Sequence, residues 1–596
     1  MLHGIQHFVN QTTASSGGVP PFVIRGARVL RAPATAAADG AAADGAAPAT
    51  GPATATAVAT SEQADLARAD VRVGADGCIE AIAPELAPLP GEGVVDATGL
   101  VLAPGFVDLH SHSDLYSVVR DSAAAPVGDQ PKLLQGCTAQ VFGQDGISAA
   151  PVEPGSAGEL AAAIAGLDGS IPAERWRWAT MADYLGALRS VAATRVAALV
   201  GHSTIRRLVM GVAARPPTEA ELARMCAVVD QAMTEGALGL STGLVYAPAA
   251  YAAPDELVAL CRVVAQRGGR FFVHVRSESD RVVEATEEIL DVARRSGVHL
   301  HYSHIKTAGR ANWPKAHRLI ELVEEHRAAG FPVTVDVHPY TAGSTTATVL
   351  VPPWVLEGGT GDALGRLRDR AVRDQVRHQM LSDTTGWDNW WAFSGGWDGL
   401  VVAGAPRPGL AGRSFADLIA TAGITDQRSP EAFDVVFDLL VACNLAVSLI
   451  SFNNVEENVA TFLSRPYAGI GTDALVNPDG HPHPRLYGTF PRVLGRYVRE
   501  LGVLDLPQAL HAMTDGAAAA AGWEGPGRIA PGASADLVAF DPERVIDRAT
   551  YDEPRLPPLG IDRVWVQGHL VVDGGALTGA APPAEQPGGP GVAPAP

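Results

Sequence analysis

VLAPGFVDLHSHS, residues 101–113, sets the frame for the whole chain. An apolar run, Val101 to Ala103, is broken by Pro104 and Gly105 and resumes at Phe106 before delivering His110 and His112. Residues i and i+2 of a β-strand point to one side, so both imidazoles project together from the strand's carboxyl end. Two ring nitrogens presented that way suit one metal ion. Two polar residues closing a strand would look the same, so the reading depends on what else the chain places at strand ends.

Working outward, the stretch from Phe106 to about Ala520 alternates apolar strand-like runs with helical patterns. The runs are Thr138 to Phe142, Arg195 to Val200, Ala237 to Leu240, Arg270 to Val275, His299 to His304, Pro332 to Val337, Ala446 to Ser451 and Gly469 to Thr472. Helical patterns include Thr218 to Glu235, Pro254 to Arg267 and Ser279 to Ser296. Such alternation predicts an α/β fold, a TIM-like (β/α)8 barrel at residues 104–521. A doubly wound open sheet is the second choice, and no GxGxxG after a first strand supports it.

Short strand patterns with turn signals flank this region: Pro21 to Leu30, Ala69 to Val73, Cys78 to Ile82 and Val94 to Val101 on one side, and 527–545 and 561–575 on the other. Both chain ends, residues 21–103 and 522–579, are expected to pair into one small β-sandwich beside the barrel. Residues 1–20, the Ala-rich segment 34–61 and the tail 580–596 carry too few large side chains to offset ordering entropy, and are read as disordered. The segment from about 341 to 429 is long for a barrel loop and holds Trp354, Trp387, Trp390, Trp391 and Trp397. Either an aromatic lid or a small satellite core accounts for it.

Composition narrows the function. The net charge of −20 speaks against a nucleic-acid surface. Apolar runs are interrupted before about 18 residues, so no membrane span is expected. Five scattered cysteines, Cys78, Cys137, Cys226, Cys261 and Cys443, fit no disulfide framework and favour a reducing, cytoplasmic location.

Four more residues end apolar runs as His110 and His112 do: Asp145 in VFGQDG, His274 in RFFVHVRSE, His304 in HLHYSHIK and Asp473 in AGIGTD. Four histidines and two carboxylates ending different strands serve no packing purpose, but they suit zinc, one ion or two, with a position kept for water. Lysine occurs only at 132, 306 and 315. A bridging lysine from a middle strand is therefore excluded, and Asp145 is the best-placed bridge, with Cys137 a weaker candidate. Asp473, apart from the histidines, suits a general base that returns its proton to a departing amine. Lys306, two residues beyond His304 on the expected strand, and Arg485 in HPHPRLYGTF suit a substrate carboxylate. Tyr340 and Tyr246 are hydrogen-bond donors nearby.

With these residues in hand the chain resembles the amidohydrolase superfamily and, within it, the D-aminoacylases (N-acyl-D-amino-acid deacylases). The matching stretches are DATGLVLAPGFVDLHSHSD, GHSTIRRLVMG, GALGLSTGLVYAP, FVHVRSES, YSHIKTAGRANWPK, VDVHPYTAGST, GIGTDAL, HPRLYGTFPRVLGRYVRE, and GRIAPGASADLVAFDP with GIDRVWVQG. They span nearly everything from Pro21 to Gly579 outside the Ala-rich segment. The resemblance implies a barrel flanked by a β-sandwich, a lid after the seventh strand, and zinc-dependent hydrolysis of a small-molecule N-acyl-D-amino acid. By motif match it implies His110, His112, His274 and His304 as metal ligands, Asp473 as acid/base, and Lys306, Tyr340 and Arg485 as the carboxylate-binding set. One departure stands out: the best-known members carry a cysteine ligand in GNCG where this chain reads GQDG, which puts Asp145 in the cysteine's place. Two other readings remain to be weighed, a cyclic-amide hydrolase of the hydantoinase or dihydroorotase kind and an inactive amidohydrolase-fold binding protein.

Overall fold

The computed structural model describes residues 19–30, 66–118, 126–382 and 386–579. The three segments expected to be disordered lie outside these residues, apart from the last two of the leader.

Eight parallel strands close into a barrel. In order they are Phe106–Asp108, Cys137–Phe142, Arg195–Ala198 continued by Val200–Gly201, Gly239–Gly243, Arg270–His274, His299–Tyr302, Val333–Val337 and Ala468–Ile470. The eighth meets the first where Leu109 N donates to Ile470 O at 3.2 Å, and just above, Ser111–His112 pairs with Ala474–Leu475. Helices lie between strands where the patterns place them, at Glu219–Thr234, Pro254–Gln266 and Val282–Ser296. The first opens on a capping box at Thr218 and Glu221, which satisfies end donors that the helix itself cannot.

One expected barrel strand belongs elsewhere. Ser448–Phe452 pairs antiparallel with Ala342–Thr346 and Leu400–Gly404 in a separate three-stranded sheet. Its apolar run has the length of a buried barrel strand, and periodicity carries no information about which sheet such a run joins. Phe106–Asp108 makes up the eight. The inserted unit between the seventh and eighth strands is built on this second sheet and has an apolar core of its own, with Trp390, Trp391, Trp397, Phe415, Phe433 and Phe437. The satellite-core reading of the tryptophans therefore holds, with Trp354 and Trp387 packed at its margin.

Both chain ends share a nine-stranded sheet. Leu537–Phe540 runs antiparallel to Val101–Pro104, which lies beside Phe22–Leu30, so the end of the chain is laid directly against its beginning. Gly105 hands the chain from this sheet to the barrel. A Cβ there would lie 2.1 Å from Thr138 Oγ1, so only glycine fits where the two layers approach. No helix among the described residues is long and apolar enough to cross a membrane.

Candidate metal centre

The strand ends converge. His110 and His112 present Nε2 atoms 3.3 Å apart, but not from one strand as expected: His110 sits in the bend between Phe106–Asp108 and Ser111–His112. Asp145 comes from the turn after the second strand, His274 ends the fifth, and His304 and Asp473 follow the sixth and eighth. Three of these residues, Asp145, His304 and Asp473, have positive φ angles of 55°, 36° and 50°. L-residues adopt that backbone rarely, and here it turns side chains back over the barrel mouth.

Ligand atoms fall into two groups, His110, His112, Asp145 and Asp473, and Asp145, His274 and His304. Asp145 belongs to both. Its Oδ1 lies 3.6 Å from His110 Nε2 and 3.4 Å from His304 Nε2, and its Oδ2 lies 3.6 Å from His112 Nε2 and from His274 Nδ1. Asp473 Oδ1 is 3.7 Å from both His110 and His112 Nε2. Ligands about 2.0–2.1 Å from a tetrahedral zinc stand about 3.3–3.4 Å from one another, so these separations match a cage. Asp145 Oδ1, which faces His110 and His304, is buried without a hydrogen-bond partner, which also fits a group meant to hold an ion.

A second layer of carboxylates fixes the rings. Asp168 Oδ1 lies 2.8 Å from His112 Nδ1, the histidine–carboxylate pairing common behind metal ligands. Asp336 accepts from the His304 backbone N at 2.9 Å, lies 2.9 Å from His301 Nε2, and stands 3.6 Å from His110 Nδ1. Asp108 ties the first strand to the eighth by accepting from Thr472 N at 2.8 Å and from Thr472 Oγ1 at 2.7 Å. The buried Lys132 ammonium donates to the same carboxylate at 2.6 Å and to Thr472 Oγ1. That is a structural use for one of the three lysines.

Electrostatics point the same way. Burial opposes charge on Asp145, yet His110, His304 and His274 hold its carboxyl well below the usual range. Burial likewise opposes a proton on His112, but Asp145 and Asp168 push it up to about 10. For His304, burial and Lys306 are outweighed by Asp145 and Glu278, again to about 10. Arg485 and His110 keep Asp473 ionised against its burial. The cluster draws positive charge to its centre, the role a divalent cation fills.

The remaining expected residues divide. Arg485 is fully buried and donates to Asp473 Oδ2 at 2.7 Å and to Ser344 O at 2.9 Å. Lys306 reaches the cluster, with Nζ 2.6 Å from Glu278 Oε1 and 2.7 Å from His304 Nδ1. It does so from a loop, because the strand ends at Tyr302; the expected alternation along one strand face does not apply. Tyr246 packs its ring edge-on against His274, centroids 5.1 Å apart, and its hydroxyl lies 2.8 Å from Thr345 Oγ1. The Tyr340 hydroxyl instead donates to Asp547 Oδ2 at 3.3 Å, under the Arg492 guanidinium. Cys137 is no ligand candidate: it opens the second strand at the far end from Asp145, and burial pushes its thiol far up.

Glu278, Asp168, Asp336 and His338 escaped the sequence reading. Asp336 was legible as a lone acid inside the apolar run VTVDV, and Glu278 as an acid four residues beyond His274. His338 is buried with neither ring nitrogen hydrogen-bonded, its Nε2 4.0 Å from Asp473 Oδ2. Nothing local marks Asp168, which reaches His112 from 56 positions away.

A parallel barrel with histidines and carboxylates gathered over its strand ends is the plan of a metal-dependent enzyme. The amidohydrolase family model matches residues 93–388 and 442–572, and the chain belongs to that family, on its D-aminoacylase branch. A D-aminoacylase of Alcaligenes xylosoxydans xylosoxydans is 35% identical over 513 residues, 86% of this chain and 92% of the relative. The crystal structure of an N-acyl-D-glutamate deacylase from Bordetella bronchiseptica, complexed with zinc and a phosphonate mimic of the tetrahedral intermediate, matches with a TM-score of 0.72 and 32% identity, covering 92% of this chain and 96% of that one. A D-aminoacylase structure described for its binuclear metal centre matches at 0.69 and 32% identity, covering 87% and 96%.

Proposed function

We propose that the chain hydrolyses the linear amide of N-acyl-D-amino acids, releasing a carboxylate and the free D-amino acid, with zinc held by His110, His112, Asp145, His274, His304 and Asp473. The observation that carries this reading is Asp145, whose two oxygens face both ligand groups. Zinc bound there supplies a Lewis acid that polarises the amide carbonyl and acidifies water. Asp473 is the proton carrier. Arg485 holds its Oδ2, which leaves Oδ1 on the cluster side to take the proton of the attacking water and deliver it to the departing amine nitrogen. Lys306 and Arg485 supply positive charge for the substrate carboxylate, and Tyr246, beside His274, covers the reacting group. We assign Tyr340 to the wall behind this set, given its bond to Asp547.

The same reading takes residues 21–103 and 522–579 as a composite β-sandwich, 104–521 as the catalytic barrel, and the cytoplasm as the location; the insertion expected at about 341–429 extends further, through Ser448–Phe452, and has a core of its own. All five cysteines are unpaired, in keeping with that location. A cyclic-amide hydrolase is set aside because no lysine lies between Lys132 and Lys306 to serve as a bridge, and Asp145 is shared by the two ligand groups instead. An inactive relative is set aside because the donor set is complete. The test is metal analysis of the purified protein with assays on N-acetyl-D- and N-acetyl-L-amino acids, before and after chelation. Turnover of D substrates that vanishes on chelation and returns with zinc is expected; turnover indifferent to chelation would overturn the assignment.

A further inference from the structure

One buried carboxylate of the inserted unit, Asp388, reaches the loop that carries Glu278 beside the strand-end cluster. Its Oδ1 accepts from Ser277 Oγ at 2.5 Å and from Ser279 Oγ at 2.7 Å, and its Oδ2 accepts from the Glu278 backbone N at 2.7 Å. Three donors from consecutive residues thus converge on an acid from another part of the chain. These residues lie in an irregular loop beyond the fifth strand, without ladder pairing of their own. Arg281, on the same loop, adds a bond to Gly386 O at 3.0 Å.

The loop matters because of the side chain at its centre. Glu278 Oε1 is 2.6 Å from Lys306 Nζ, 3.2 Å from His304 Nδ1 and 3.7 Å from His274 Nε2. The Glu278 backbone is held on one side by the Asp388 carboxylate and on the other by Ala308 N, which donates to Glu278 O at 2.6 Å. A charge-assisted bond to a buried carboxylate is roughly twice as strong as a neutral one, and a lost acceptor leaves its donors stranded.

We propose that Asp388 is a positioning residue: through Ser277, the Glu278 backbone and Ser279 it sets the Glu278 carboxylate, which in turn fixes the Lys306 ammonium where the substrate carboxylate is gripped. The inserted unit is then part of the active site, not only a neighbour packed against the barrel. This inference rests on the substrate assigned above, so its test includes a readout that needs no substrate.

That readout is reductive methylation of the folded, zinc-loaded protein followed by mass spectrometry, with Lys132, buried against Asp108, as internal control. In Asp388→Ala, Lys306 should be modified about tenfold faster than in the parent while Lys132 is unchanged, since the loop that shields it opens more often. With N-acetyl-D-amino acids, KM should rise about tenfold while kcat changes less than about threefold, the mark of lost substrate binding. Should Asp388→Ala not fold, Ser277→Ala combined with Ser279→Ala removes two of the three bonds and should give the same pattern more weakly. A lower melting temperature with Lys306 labelling and KM both at parental values would reduce Asp388 to structural glue and overturn the proposal. A parent protein without D-substrate turnover would instead count against the function, while the labelling comparison would still decide the positioning role.

Discussion

The strand-end cluster and the core of the inserted unit are both closed to solvent, but different forces hold them. In the inserted unit Trp397 meets Phe433 edge-on with centroids 5.1 Å apart and Phe415 at 6.0 Å, and stability follows apolar area and shape. In the cluster, Asp145, Asp473, Asp336 and Glu278 are buried among imidazoles and cations at hydrogen-bonding and ion-pair distances. Charges in that setting cost free energy unless each finds a partner, so the cluster is specified by who faces whom. The comparison predicts that changes in one region move activity and leave the fold, and changes in the other do the reverse.

The strongest challenge to that division is Asp473→Asn. Turnover should fall about 10³-fold, roughly 4 kcal/mol in the barrier, with zinc still held by the five other donors and stability lowered by the loss of the buried Arg485 pair. A variant that keeps its turnover would remove the proton-carrier role. Next comes Trp397→Ala, which should cost about 3–5 kcal/mol in a denaturant titration because a fully buried indole leaves a cavity, while kcat of the folded fraction stays within about twofold. A large loss of kcat at unchanged stability would show that the two regions are not separable in this way.

Asp168→Asn sharpens the picture one layer out. It keeps the shape but loses the charge that orients the His112 ring, and should weaken zinc binding about 10- to 100-fold in a competition titration. The smallest expected effect lies far from both regions, in the nine-stranded sheet. Asp70 accepts from Gly26 N and Leu86 N, each at 2.8 Å. Burial raises its pKa, but these bonds and Arg25 outweigh that and hold it below the ordinary 3.8. A carboxyl depressed on folding contributes stability above its unfolded pKa, and that contribution is lost as pH falls through the folded value. Asp70→Asn should therefore cost about 1 kcal/mol at neutral pH and flatten the acid limb of the stability curve below about pH 4, with no change in kcat.

How far the sequence was readable depends on the range of each interaction. His110 and His112 were marked, like His274, His304 and Asp473, by an apolar run that ends in polar residues, although His110 stands in a bend and not on the strand that alternation assumed. Seven of the eight strand-like runs took barrel places for the same reason. Ser448–Phe452 did not, since an apolar run carries no label for its sheet. Lys306 was placed near the cluster by an alternation that its backbone does not follow, and Tyr340 was placed there by motif although its hydroxyl is bonded elsewhere.

The sequence by itself determined the α/β barrel, the candidate donor residues and the lack of a lysine between Lys132 and Lys306, because run length and residue chemistry are read over a few positions. The tertiary structure alone decided that Asp145 faces both ligand groups, that Asp168 and Asp336 stand behind the histidines, that Arg485 pairs with Asp473, and that Asp388 reaches into the loop of Glu278. Those are contacts between charges separated by tens to hundreds of residues. Only the closing of the barrel, which places all eight strand ends around one opening, brings them within range of Coulomb attraction and hydrogen bonding.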